Sequence, residues 1–449
     1  MIRASDPDYE STHLIRAAGE EPKVLTFEPL FTGYVRNWAR FPTLDMTSQA
    51  LHCLLAVDET DVFASRYAQP VMGFLEECWG GGFAISPLFR GRPTLYATLN
   101  GIGVIKALLG IPQNHRLRMD RVAQHLGPSW AQRLAGLRST LHEFVRGGEF
   151  VDDPETGQAS VQALHCAASL LWNLEASAAL FGEYVRQEEV AAFLRACRAD
   201  SKEGFGFRGS PDSDHEGPCS TTTGVVIQLQ EHFDIRAFRP EERSGLWSFL
   251  RETFVEGEGG FRVFPNQPPT LSATQAALRA IDSLAPARDL LSGSEEWIRH
   301  LRVQVPSFVG GCARNDGGYA FHPSKVFSSN IFATRCALRV DAQLRGEPQP
   351  SVIDRKALVS FIAEAFDEFQ GAFWGYGAPA AQAALKRFER VRNVVAERGS
   401  LTATDVSAIC LIDPFDAAYA LEALFARKKL VRRSAPTPDG LGAMYSLAA

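Results

Sequence analysis

Residues 258–281 read EGGFRVFPNQPPTLSATQAALRAI. A glycine doublet is closed by an aromatic residue, a polar loop follows, and a segment of Ala, Thr and Leu ends the stretch. Glycine takes positive φ without steric cost, so the doublet marks a tight reversal of the chain. The closing segment is apolar or small on nearly every face, which predicts a helix enclosed on all sides. The polar stretch before the doublet, 241–255, has a 3.6-residue apolar stripe with charges opposite, as an outer helix does. One unit is therefore outer helix, Gly/aromatic turn, inner helix.

The unit recurs along the chain. Further turns read GGGF (80–83), GGEF (147–150), EGFGF (203–207) and DGGYAF (316–321). Further inner helices read TSQALHCLL (47–55), ATLNGIGVIKAL (97–108), SVQALHCAASLL (160–171), TTTGVVIQL (221–229) and ATRCALRV (333–340). Taking Thr47, Thr98, Ser160, Thr223, Thr274 and Thr334 as equivalent gives steps of 51, 62, 63, 51 and 60 residues. Outer helices are expected near 61–78, 131–146, 187–200, 241–255, 294–309 and 354–370. A repeat cannot bury its apolar face alone, and closing the row into a ring removes its ends. The expected fold is all-α, an (α/α)6 toroid of six helix pairs over 45–375. Residues 1–44 would form an N-terminal extension packing on the ring.

The pattern of Gly-Gly-x-Phe, polar loop and S/T-x-T-x-x-A-L resembles the α/α toroid superfamily, which includes protein prenyltransferase β subunits and the squalene and terpene cyclases. The resemblance covers roughly 45–375. It implies an isoprenoid-handling enzyme, terpene-cyclase-like or prenyltransferase-like, which binds a prenyl diphosphate or polyprene chain in an aromatic central cavity. A toroid that kept the fold without catalysis, as a scaffold or binding protein, is the alternative. A zinc-dependent protein prenyltransferase β subunit is another.

Aromatic faces suit a hydrocarbon chain and a carbocation, and the guanidinium fork matches phosphate oxygens. The turns and loops supply both, so Arg90, Arg92, Tyr96, Phe207, Arg208, Phe261, Phe264, Tyr319, Phe321, His322 and Lys325 are candidate substrate-binding residues. The same aromatics could equally wedge between repeats as core. The densest polar loop, RGSPDSDHEGPC (208–219), offers Asp212, Asp214 and His215 as candidate proton-handling residues. In the family this loop carries an Asp and a Cys that bind zinc, so Asp214, His215 and Cys219 form a possible Zn2+ set, with the register displaced by about one residue. Mg2+ with a diphosphate is the other implied ion. The cyclase DxDD motif has no counterpart at CSTTTG (219–224), and DSDH (212–215) lies too early. His52 and His165, each followed by a Cys, diverge by about 100° from that neighbour on a helix and cannot share a metal with it. They read as core-edge residues.

GxSxG, HExxH and P-loop motifs do not occur. Two carboxylates across the cavity, as a glycosidase needs, could be drawn from Glu203, Asp212, Glu258 and Asp316. Apolar content of 45%, charged content of 22% and a net charge of −6 describe an ordinary folded protein and argue against general nucleic-acid affinity. No stretch of about 18 apolar residues is present, and no signal peptide is visible, so a cytoplasmic location is expected. Eight scattered cysteines without a CxxC pair read as reduced, buried thiols.

After the ring, 381–449 reads as a winged-helix-like domain, with helices at 381–397, 401–410 and 413–430 and a two-stranded wing around a Pro-Asp-Gly turn. It carries 10 basic and 7 acidic residues. The helix that would enter a DNA groove begins with Asp413 and Asp416, which repel phosphate, so nucleic acid is disfavoured and a protein partner is the expected use.

Overall fold

The computed structural model describes residues 14–15, 23–24, 42–59, 66–87, 91–113, 115–154, 158–174, 181–212, 217–233, 235–265, 267–284, 294–325, 327–344, 353–368, 370–412, 414–426, 430–432 and 444–447. Arg90, Asp214 and His215, and nearly all of 1–44, lie outside them.

The helices alternate between two layers. The inner layer is α1 (Leu44–Ala56), α3 (Leu95–Leu108), α6 (Val161–Leu174), α9 (Ser220–Phe233), α11 (Leu271–Leu284) and α13 (Ile331–Leu344). The outer layer includes α2 (Ala68–Cys78), α4 (Met119–Leu126), α5 (Pro128–Thr140), α7 (Phe181–Tyr184), α8 (Gln187–Ala196), α10 (Arg243–Thr253), α12 (Ser294–Cys312) and α14 (Arg355–Glu364). Each inner helix packs on the next, and α13 returns to α1. The ring is closed and the fold is the α/α toroid.

One hydrogen-bond pattern fixes the ring. The first backbone N–H of each inner helix donates to a turn carbonyl of the following repeat: Leu44 to Ile85, Leu95 to Asp152, Val161 to Gly209, Ser220 to Val263, Leu271 to Phe321 and Ile331 to Gly375, all at 2.8–3.0 Å. Helix starts leave such donors unpaired, and here the neighbouring turn takes them. In five of the six repeats the aromatic of the turn is then held by a threonine one turn into an inner helix. Thr98, Thr223, Thr274 and Thr334 accept from the backbone N–H of Phe83, Phe207, Phe261 and Tyr319 at 2.8–3.1 Å. Thr47 accepts from Phe373 at 3.1 Å, across the ring closure.

These contacts correct the sequence register twice. Ser160 is not the equivalent of those threonines; its hydroxyl caps α6 by accepting from Ala163 at 3.0 Å, as Thr94 and Thr270 cap theirs. The equivalent position is Leu164, which has no hydroxyl to offer. The sixth turn, which the repeat pattern does not reveal, is Gln370–Gly375: residues 366–367 and 372–373 form the same two-residue hairpin as 254–255 with 260–261. Gly371 there has φ +71, and a Cβ on it would meet the Pro70 carbonyl oxygen at 2.2 Å. Only glycine lets the last turn seat on the first outer helix.

Beyond the ring, α15 (Gly377–Arg398), α16 (Ala403–Cys410) and α17 (Pro414–Ala426) surround an antiparallel sheet in which 444–447 pairs with both 401–402 and 430–432. Ala417 to Leu421 of α17 are all buried. Five consecutive buried residues leave that stretch no face for a groove. Asp416 pairs inward with Arg387 of α15 at 3.1 Å. The Tyr419 hydroxyl donates to Gln370 of the sixth turn, and Trp374 joins this module's core. Asp413, the basics 427–429 and the Pro-Asp-Gly turn lie outside the described residues.

Candidate functional site

The inner helices are buried almost throughout, and the exceptions fall on one stripe per helix. On α6 the partly accessible residues are Gln162, His165, Ser169, Trp172 and Leu174; on α13 they begin Phe332, Arg335, Arg339. Spacing of three and four residues places each set on one face. Tyr96 and Leu99 of α3, Val225 of α9, and Ala276 and Arg279 of α11 continue the pattern. Six such helices closed in a ring turn these faces to a shared interior.

Composition changes along the stripes. Near the helix starts they carry Tyr96, Leu99, Val225 and Phe332, with the polar Gln162 and Thr221 at the starts of α6 and α9. From the middle onward they carry Arg335, Arg279 and Arg339, with Lys106 of α3 buried beside them. Lys106 Nζ donates to the Gln113 carbonyl (2.7 Å) and to Asn173 Oδ1 (3.0 Å). Gln113, from the loop after α3, accepts at Oε1 from Arg335 Nη2 (3.4 Å) and from Arg339. Lys106 and Arg116 both lie over the Trp172 ring, 5.5 and 5.4 Å from its centroid.

Burial dominates the electrostatics. It pulls Arg335 and Arg279 down to about 10, with the Arg339 charge adding to each, and it lowers Arg339 as well. Lys106 falls to about 8 for the same reason. His165 falls to about 4 through burial and then Arg279. His52 is lowered by burial, then by Arg335, Arg339 and Lys106. The guanidinium groups stay charged at neutral pH while both histidines are neutral. Among the described residues no carboxylate is one of the groups that perturb the arginines. These side chains keep some accessible surface and are still strongly desolvated, as groups facing the enclosed interior of a ring would be. Inner-helix polar atoms with no hydrogen-bond partner among the described residues gather on these helices: Gln49 Oε1, His52 Nε2, His165 Nδ1, Gln275 Nε2 and Arg335 Nε. Buried polar atoms of this kind call for water or a ligand.

The residues expected from the sequence are distributed differently. Phe207 and Phe261 are fully buried, against Phe238 and Trp297. Tyr319 and Phe321 are also buried. All four are buried among the repeats; the threonine pattern holds Phe207, Phe261 and Tyr319, while the Phe321 carbonyl accepts from Leu271. Phe264 is partly buried against the core. His322 Nε2 lies 3.3 Å from Glu258 Oε2, bridging two turns; Lys325 and Arg92 are exposed, and Arg208 is half-buried. Tyr96 does reach the stripe, its hydroxyl donating to Asp45 Oδ2 at 3.2 Å. Asp212 sits exposed on a turn. Cys219 is buried at the start of α9 with Sγ 2.8 Å from the Thr221 hydroxyl. No group of three His, Cys, Asp or Glu among the described residues could hold a metal. No helix among them is long and apolar enough to cross a membrane. All eight cysteines are buried thiols. The arginine cluster was legible in principle, as a basic residue in a helix otherwise apolar all round: ALRAI and ATRCALRV.

Residues 226–384 match the family model described as the prenyltransferase alpha-alpha toroid domain. Among solved structures, protein geranylgeranyltransferase-I of Candida albicans, complexed with GGPP, is similar at 13% identity, covering 72% of this chain and 91% of that chain with a TM-score of 0.46. No curated protein sequence matches the chain.

Proposed function

Taking the chain as an α/α toroid of the prenyltransferase superfamily, we propose that it is an isoprenoid-handling protein that encloses a prenyl chain in the ring's interior. The observation that carries this reading is the stripe of accessible side chains on buried helices, largely apolar and aromatic toward the helix starts. Tyr96, Leu99, Val225 and Phe332 offer a hydrocarbon a surface that excludes water, worth about 25 cal/mol per Å2 covered. Tyr96 is fixed at its backbone by Asp152 (2.8 Å) and at its hydroxyl by Asp45, so its ring is presented in one orientation. A held ring costs little entropy when a ligand docks.

An enzymatic role follows if the enclosed chain reacts there, because a closed interior protects a carbocation from water. The test is incubation with prenyl diphosphates of increasing length, with product analysis by mass spectrometry and thermal shift as the binding readout. Turnover, or stabilisation that depends on chain length, supports the proposal. Absence of both with every length rejects it. Phe332→Asp, which puts a charge on the apolar stretch, should remove chain-length dependence.

A further inference from the structure

We infer that Arg279, Arg335 and Arg339 form a site for a multiply charged phosphate group, so that a prenyl diphosphate lies with its head at the far end of the interior and its tail toward the Gly/aromatic turns. This rests on the isoprenoid reading for the tail, and on the cluster alone for the head. Three guanidinium groups from two adjacent inner helices face one interior with Lys106 behind them. Their only hydrogen-bond acceptor in the described structure is Gln113 Oε1, serving Arg335 and Arg339; Arg279 has none. A single carboxylate would leave most of that charge unmatched, whereas a diphosphate carries about three negative charges in compact form. Its oxygens accept the paired N–H donors of guanidinium groups.

The other end of the ring is a poor anion site, although helix N-termini usually attract phosphate. All six inner helices start there, but their first amides are taken by turn carbonyls, and the hydroxyls of Thr94, Ser160 and Thr270 occupy later ones. Arg279 and Arg339 each lie eight residues beyond the start of their helix, about 12 Å down the axis at 1.5 Å per residue. The apolar stretch lies between this cluster and the turns, so one ligand spans both only with its head down.

The experiment is calorimetric titration of the intact protein, in a phosphate-free buffer, with three probes: inorganic pyrophosphate, farnesyl diphosphate and farnesol. Pyrophosphate should bind wild type. Arg279→Gln and Arg335→Gln should each weaken it at least tenfold, while Arg302→Gln, on the exposed face of an outer helix, binds as wild type does. Far-UV circular dichroism verifies the fold of each variant, and Arg279→Lys, which keeps one charge without the fork, should fall between. Equal pyrophosphate affinity in every variant, or no binding to wild type, overturns the inference. Farnesol binding without pyrophosphate binding overturns the head site and leaves the chain reading intact. Pyrophosphate binding without farnesol binding does the reverse.

Discussion

Replacing Arg279 by Met should make the ligand-free protein more stable. The guanidinium of Arg279 is buried on the interior face of α11, makes no hydrogen bond among the described residues, and faces the like charge of Arg339. Its pKa drops from 12.5 to about 10. A folded-state pKa below the unfolded value means that the folded state disfavours the proton. The penalty is complete below about pH 10 and disappears as pH rises toward 12.5, so at pH 7 it is present in full. At 1.36 kcal/mol per unit its ceiling is about 3 kcal/mol, and water in the interior lowers that, leaving roughly 1–3 kcal/mol. Methionine keeps an apolar stem of similar length without the charge, a replacement that often stabilises a buried ionic site. For a chain of 449 residues, scanning calorimetry at pH 7 in phosphate-free buffer should show a rise in Tm of roughly 1–3 °C. Excess pyrophosphate should raise the Tm of wild type and raise that of the variant distinctly less, because stabilisation by a ligand falls as its affinity for the folded state falls. A fall in Tm of the ligand-free variant would refute the reasoning, since it would mean that the guanidinium is a structural tie already satisfied in the fold.

His165, held at about 4 in the fold against 6.5 unfolded, should cost the protein about 2 kcal/mol between pH 7 and pH 5, because the unfolded chain takes up the proton first; urea titrations should show His165→Leu losing that part of the slope. Gly371→Ala should lower stability by roughly 3–5 kcal/mol, from positive φ plus collision with the Pro70 carbonyl oxygen. Gly81→Ala is the control, with φ +95 and open space around its Cβ position, and should cost only about 1–2 kcal/mol; equal losses in the two would show that ring closure does not depend on that approach. Thr274→Val should cost about 1–3 kcal/mol by leaving the Phe261 amide unpaired, which denaturant midpoints would reveal.

The ring is readable from the chain because its signals are local and repeated. Each glycine doublet, aromatic and all-apolar helix speaks for itself, and agreement among the repeats outweighs an error in any one. The errors fall where one position has to be judged alone. Ser160 looks like the threonines of the other repeats, but hydroxyls are used both at caps and one turn later, and only the helix start tells them apart. GAFWGYG (371–377) lacks a doublet, since a single glycine with Ala372 suffices once Gly371 supplies the positive φ, so a search for doublets passes over the sixth turn. The order of elements after the ring does not reveal that α17 is buried, because burial there depends on Gln370 and Trp374, far away in the repeat.

The site is hidden in the sequence for a related reason. Aromatic and basic residues concentrate in the turns, and ligand sites are often found on loops. In this ring the turns serve the fold, since they absorb the inner-helix amides and wedge their rings between repeats. Residues so used at every repeat cannot also be free for a ligand, and their regularity is the sign of it. What departs from the repeat is more informative. Arg335 and Arg339 on α13 and Arg279 on α11 have apolar or small neighbours on the same helices, and hydrophobic burial alone would favour Leu or Ala at those positions. Keeping several buried cations there, with no carboxylate partner among the described residues, lowers the stability of the empty protein. That cost makes sense where a bound anion offsets it, and ligand-dependent stability is therefore the property in which structure and function should meet in this molecule.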